Sequence, residues 1–176
     1  MKYFIASDIH GSSLWCEKLI STFSELSADR LILLGDLLYH GPRNDLPDDY
    51  SPKNVITMLN SLSDKIIAVR GNCDTEVDQM VLDFPILSDS AWVCDFGQRI
   101  FCSHGHIFSP EKLPPLSDGD IFLSGHTHIP TDRIILQGQK QIRCINPGSV
   151  SIPKEASGHR CLIWENGVFT EILLDL

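Results

Sequence analysis

The sequence predicts an α/β fold, and three observations carry that prediction. Short apolar runs of strand length, rich in β-branched or aromatic residues, open the chain at Tyr3 to Ala6, Leu31 to Leu34 and Ile66 to Val69. Segments with helical periodicity lie between them. After Pro85 the helical signal fades and strands follow one another closely.

Each element has its own reason. Trp15, Leu19, Phe23 and Leu26 fall on one face of a helix after the first strand. Val55, Leu59 and Leu62 do the same in a second helix, with Ser51 at the N-cap and Pro52 at the first helical position. This alternation predicts βαβ units and a parallel sheet. Strands are then expected around Trp92 to Phe96, Ile100 to Cys102, Ile121 to Leu123, Ile134 to Leu136 and Ile142 to Ile145. A last pair, Cys161 to Trp164 and Val168 to Leu173, is joined through Asn166-Gly167, a strong hairpin signal. The stretch from Leu37 to Ser51 reads as a loop of a length usually kept for function.

The chain's length suits one domain, taken as residues 1–176. Its 14 Lys and Arg against 23 Asp and Glu give a formal net charge of -9, which argues against an extended cationic groove for nucleic acid. Bound divalent cations can still supply positive charge to a phosphate substrate. The apolar run before Ser7 is too short for a signal peptide, and no run approaches transmembrane length. The scattered Cys16, Cys73, Cys94, Cys102, Cys144 and Cys161 include no C-x-x-C pair and are expected reduced, in a cytoplasmic protein without a membrane partner. A homo-oligomer is common at this size.

The chemistry is concentrated at strand ends. Asp8 and His10 follow the first strand, Gly35-Asp36 the second and Gly71-Asn72 the third. His104-Gly105-His106 follows the run ending at Cys102, and Gly125-His126-Thr127-His128 the run ending at Leu123. Each piece alone has a bland reading, as a turn, a helix cap, a satisfied histidine or half of a structural zinc site. Independent turns have no reason to place acid, amide and imidazole at five successive strand ends, and ligands of open α/β sheets bind outside the carboxyl ends of strands. The set suits hard or borderline cations such as Mn²⁺, Fe or Zn²⁺ and is too large for one ion. A mononuclear zinc hydrolase would leave several of these ligands without a purpose. With Asp36 bridging, two ions about 3.5 to 4 Å apart can polarise a phosphoryl group and generate hydroxide for in-line displacement.

The ordered set Asp8-x-His10, Gly35-Asp36, Gly71-Asn72, His104 and Gly125-His126-x-His128 resembles the calcineurin-like metallophosphoesterases. The segments His40-Gly41-Pro42-Arg43-Asn44, Arg70-Gly71-Asn72-Cys73-Asp74 and Asn146-Pro147-Gly148-Ser149-Val150-Ser151 look like the small bacterial phosphodiesterases of the YfcE type. The resemblance implies a four-layer α/β/β/α sandwich of two mixed β-sheets flanked by helices. It implies one metal held by Asp8, His10, Asp36 and His128, and a second held by Asp36, Asn72, His104 and His126. It further implies two divalent ions, Mn²⁺ first, with Zn²⁺, Fe or Ni²⁺ also suitable, a hydroxide activated by both as nucleophile, and a small phosphodiester as substrate.

Two departures from the family pattern bear on catalysis. Cys73 stands where the family carries the His taken to protonate the leaving group, and a thiol is a poor substitute for an imidazolium acid. The expected enzyme therefore favours good leaving groups and is weak on monoesters. His40 stands where phosphatases carry a phosphate-gripping Arg, and Tyr39 where they carry an orienting Asp. His40 and Cys73 are thus the candidate catalytic side chains, with Arg43 and Asn44 as candidates for positioning substrate. His106 is either a support for a ligand or a loop residue, Asn146 borders the site, and His159 is expected exposed in its turn. A non-enzymatic alternative remains, since the small subunit of retromer shares this fold and works as a scaffold.

Overall fold

The computed structural model describes residues 1–175. Leu176, the last residue of the expected domain, lies outside the described residues. Two five-stranded sheets form the molecule, each joining sequence-distant strands. The first has the order β10-β9-β1-β2-β3, where β1 is Tyr3–Ala6, β2 Arg30–Leu33, β3 Ile66–Ala68, β9 Arg160–Glu165 and β10 Val168–Leu173. The second has the order β4-β5-β6-β8-β7, with β4 Ser90–Asp95, β5 Gln98–Ser103, β6 Ile121–Leu123, β7 Thr131–Gln137 and β8 Lys140–Asn146.

β1, β2 and β3 are parallel, as their alternation with helices requires, and the β9–β10 hairpin adds antiparallel to β1. In the second sheet β5, β6 and β8 run parallel, with β4 and β7 antiparallel at the edges. Both sheets are therefore mixed. Asn166 and Gly167 both take left-handed backbone, φ 51° and 79°, the conformation of the two-residue turn expected there.

The alternation of side chains along β1 sets the layers. Phe4 and Ala6 face α1 (Ser13–Glu25) and α2 (Pro52–Asn60), where Trp15, Leu19, Phe23, Val55 and Leu59 are buried. Tyr3 and Ile5 face the second sheet and share an inner core with Ile32, Leu34, Ile100, Leu123 and Trp164. The outer face of the second sheet is covered by the irregular segment 104–120, which contributes Phe108, Leu113 and Leu116 against Phe101 and Phe122.

Ser51 is the N-cap of α2, with Pro52 at its first helical position. Its side chain makes no cap hydrogen bond; instead its backbone N–H donates to Gly11 O at 2.8 Å and ties the helix start to the loop after β1. A third helix, α3 (Glu76–Gln79), is one turn opened by a capping box of Thr75 and Asp78, with no counterpart in the apolar periodicity. Leu37 to Ser51 carries no helix or strand apart from an isolated bridge at Tyr50.

Candidate metal centre

The parallel ladder of the first sheet continues past its strands and places the site. Asp8 N–H donates to Gly35 O at 3.1 Å, His10 N–H to Asp36 O at 2.9 Å and Gly11 N–H to Leu37 O at 2.9 Å. The loops after β1 and β2 therefore travel together. Asp74 adds the loop after β3, accepting from the backbone N–H of Asp36 at 2.8 Å, Leu37 at 2.9 Å and Gly71 at 2.7 Å. Gly71 presses on Asp36 so closely that a Cβ there would overlap Asp36 N and Oδ1.

The second sheet joins at the same end. His104, after β5, donates from Nδ1 to Leu34 O at 2.7 Å. His126, after β6, donates its backbone N–H to Asp8 Oδ2 at 3.1 Å. Asn146 holds the Gly125–Thr127 turn by donating from Nδ2 to Gly125 O at 2.7 Å and Thr127 Oγ1 at 3.0 Å. Ser149 and Ser151 each donate a hydroxyl to Asp8 O at 3.0 Å.

Seven sequence-predicted ligands are thereby brought together in two groups. The ligand atoms of Asp8, His10 and His128 lie within 4.8 Å of one another, as do those of Asp36, His104 and His126. Asn72 Oδ1 is 3.2 Å from His104 Nε2. Asp36 faces both groups, its Oδ2 lying 3.7 Å from His10 Nε2 and 3.4 Å from His104 Nε2, while its Oδ1 accepts Cys73 N–H at 2.8 Å.

The protonation pattern of these rings fits cations. The Nδ1 atoms of His10, His104 and His128 each lie 2.7 Å from a carbonyl, of Tyr39, Leu34 and Ile152 respectively. A carbonyl only accepts, so each Nδ1 carries a proton and Nε2 is the ring nitrogen turned inward, where it offers a lone pair to an ion once the ring gives up its second proton. His10 Nε2 and His128 Nε2 face each other at 3.4 Å, and both lie beside the buried Asp8 Oδ1, at 3.6 and 3.3 Å. Imidazole nitrogens and carboxylates converging in this way suit a coordination site.

Charge points the same way. Burial opposes ionisation of Asp8, yet His10 and His128 beside it hold its carboxyl well below the usual carboxylate range. Burial likewise opposes ionisation of Asp36, which His104 keeps low. Burial resists protonation of His104, but Asp36 and Asp8 raise it to about 9. Without an ion the carboxylates draw positive charge onto the imidazoles; bound cations would supply it instead.

A cavity of about 460 Å³ opens over the cluster. Arg43, Asn44 and Cys73 line it, together with Thr127 and Lys154, which carried no sequence signal. Burial and the adjacent Asp36 push the Cys73 thiol up to about 12. His40 stands apart from this wall: its ring lies edge-on to Tyr39 and Tyr50, at 4.7 and 5.3 Å, with Nδ1 buried and unpartnered. His106 is half-buried beside His104, ring centroids 5.3 Å apart, with an unpartnered Nδ1. His159 is not exposed as expected, because its ring stacks on Trp15 at 3.4 Å and its Nδ1 meets Val150 O at 2.7 Å. Asp74, Ser149 and Ser151 stand in segments that the sequence marks by resemblance but to which it assigns no role; they hold backbone rather than ligand.

The model of the calcineurin-like phosphoesterase superfamily domain matches residues 1–166. Phosphodiesterase YfcE of Escherichia coli K12 is 46% identical over 175 residues, 99% of this chain and 93% of that protein. The solved structure of Yfce, a phosphoesterase from E. coli, superposes with a TM-score of 0.92 at 46% identity, covering 99% of this chain and 94% of that one. Vps29 of Chaetomium thermophilum superposes with a TM-score of 0.55 at 16% identity, covering 97% of this chain and 94% of that one, a likeness of fold alone.

Proposed function

From the chain's membership of the calcineurin-like phosphoesterase superfamily, we propose that it is a metal-dependent phosphodiesterase acting on small diesters. The observation that carries the reading is the convergence of inward-facing imidazole nitrogens and buried carboxylates under an open cavity. Asp8, His10, Asp36 and His128 would hold one ion; Asp36, Asn72, His104 and His126 would hold the other, with Mn²⁺ first among the candidates. When bound, such ions neutralise phosphoryl oxygens and make water a better nucleophile at neutral pH.

The chain's own groups do the rest. Asp36 lies between both ligand groups and fixes their spacing. Arg43 and Lys154 bring cationic heads to the cavity, where a diester anion enters. Cys73 contributes a thiol to that wall and His40 is not part of it, so among the described residues the cavity wall offers the leaving oxygen no free imidazole as general acid. Good leaving groups such as aryl alcohols are therefore preferred, and alkyl monoesters are poor substrates. A measurement of equal kcat/KM on aryl and alkyl diesters would refute that preference. All six cysteines are free, which fits a cytoplasmic setting where thiols stay reduced. Among the described residues no helix is long and apolar enough to cross a membrane.

The deciding experiment is hydrolysis of bis(p-nitrophenyl) phosphate by metal-stripped protein, with Mn²⁺, Mg²⁺ and Zn²⁺ returned separately. Activity should return with metal and fall by at least about a hundredfold in Asn72→Ala, which removes one ligand oxygen without adding bulk. Inactivity with every metal, despite tight binding, would favour a scaffold on this fold.

A further inference from the structure

A second cavity, of about 410 Å³, adjoins the metal-ligand cluster and differs from it in chemistry. Its walls are Leu38, Tyr39, Tyr50, Ile56, Val77 and Val81. Val77 is 69% exposed, and Tyr39 and Val81 are each 42% exposed, so hydrocarbon is left facing water beside a polar site. Asp78 is spent on the α3 capping box, accepting Thr75 N–H at 2.8 Å and Thr75 Oγ1–H at 2.9 Å. The volume lies within the range of about 300 to 1,000 Å³ typical of small-molecule sites.

Groove and cluster are built from the same two loops. Cys73 lines both cavities, and its Sγ lies within 4.8 Å of the ligand atoms of His10 and Asp36. Tyr39 gives its side chain to the groove and its carbonyl to His10 Nδ1. Tyr50 is fixed by its bridge to Ser12. The 43–48 stretch lines a different cavity, which carries Asp45 and Asp48 and is unsuited to hydrocarbon.

We propose that this groove receives an apolar alcohol arm of the substrate, making diesters with one long alkyl or aryl group the preferred class. The inference rests on the phosphodiesterase reading. Because Cys73 lines both cavities, an ester arm leaving a phosphorus held at the cluster can turn past it into the groove. Each methylene taken from water into the groove then adds affinity.

The test compares binding of dimethyl phosphate and methyl octyl phosphate to Mn²⁺-loaded protein by calorimetry, with hydrolysis of bis(p-nitrophenyl) phosphate and sedimentation measured alongside. The octyl ester should bind at least about tenfold more tightly, and Val77→Asp with Val81→Asp should reduce that ratio below about twofold. Ile134→Asp, on exposed β7, should leave the ratio and the hydrolysis unchanged. A hydrolytically active protein with no dependence on chain length overturns the groove proposal while leaving the phosphodiesterase reading intact. Chain-length-dependent binding without hydrolysis overturns the enzymatic reading, and with it the groove's role for a substrate, leaving an apolar binding groove on a non-catalytic protein. A change of association state in the Val77→Asp, Val81→Asp variant with an unchanged binding ratio makes the groove a contact between copies and overturns the proposal.

Discussion

Five of the seven candidate ligands sit in left-handed backbone: Asp8 at φ 61°, His10 at 49°, Asp36 at 56°, His126 at 68° and His128 at 62°. Each such residue costs on the order of 1 to 3 kcal/mol, and the cost persists only where surrounding bonds over-determine it. Asp74 is one of those restraints, since its carboxylate accepts three backbone N–H groups from Asp36, Leu37 and Gly71. Asp74→Ala strands three buried donors and is expected to lower the unfolding free energy by about 3 kcal/mol or more. Urea denaturation reads this directly, and a change below about 1 kcal/mol would remove Asp74 from that role. Gly71→Ala acts on geometry rather than bonding, because its Cβ must displace the Asp36 carboxylate. Diester hydrolysis at saturating metal should fall by about a hundredfold, the usual consequence of moving a group by about 1 Å at a reacting centre.

At the scale of elements, legibility followed the period of the apolar pattern. β6 and β10 coincide with their expected runs, and α1 and α2 bury the expected Trp15, Leu19, Phe23, Val55 and Leu59. What was not legible lacked a local signal. The β4–β5 turn is Phe96-Gly97, with Phe96 at φ 52°, a conformation that an aromatic adopts here while packed 5.1 Å from the Trp164 ring. That support comes from a strand far along the chain, so no window around Phe96 reveals it. The candidate ligands' places at strand ends are readable because strand ends are local, whereas the roles of Ser149 and Ser151 are not, since both act on the backbone of a residue more than 140 positions away. His159 was misplaced because its stacking partner, Trp15, lies on α1. Asn166 offers a clean test of a turn that was readable. Asn166→Ala removes the short polar side chain that makes left-handed backbone tolerable at φ 51° and should destabilise the chain by about 1 kcal/mol, with hydrolysis unchanged at a temperature well below unfolding. Equal denaturation midpoints for the two proteins would mean that the turn relaxes at no cost.

At the scale of the whole molecule, the candidate ligands do not belong to one sheet. Asp8, His10, Asp36 and Asn72 follow strands of the first sheet, while His104, His126 and His128 follow strands of the second. Elsewhere the sheets meet mainly through side-chain packing, around Ile5, Leu34, Ile100 and Leu123, with hydrogen bonds such as Trp164 Nε1–H to Gln98 Oε1 at 3.0 Å. Ions bound at this cluster would tie both sheets together at one end, where two buried carboxylates otherwise lie among imidazoles that must change protonation. Metal binding to the native state alone stabilises it by mass action, about 2.7 kcal/mol at a free concentration one hundred times Kd. For a chain of this size that corresponds to a rise in Tm of roughly 5 to 10 °C. The effect should also be local: amides at His104, Gly125 and His126 should exchange with deuterium faster after chelation, while the β9–β10 hairpin at the sheet's far edge should not change. Uniform acceleration across both sheets would point to global loosening instead. No change in Tm or exchange between chelated and Mn²⁺-loaded protein would mean that the cluster does not bind the ion and that the two-sheet clasp is wrong.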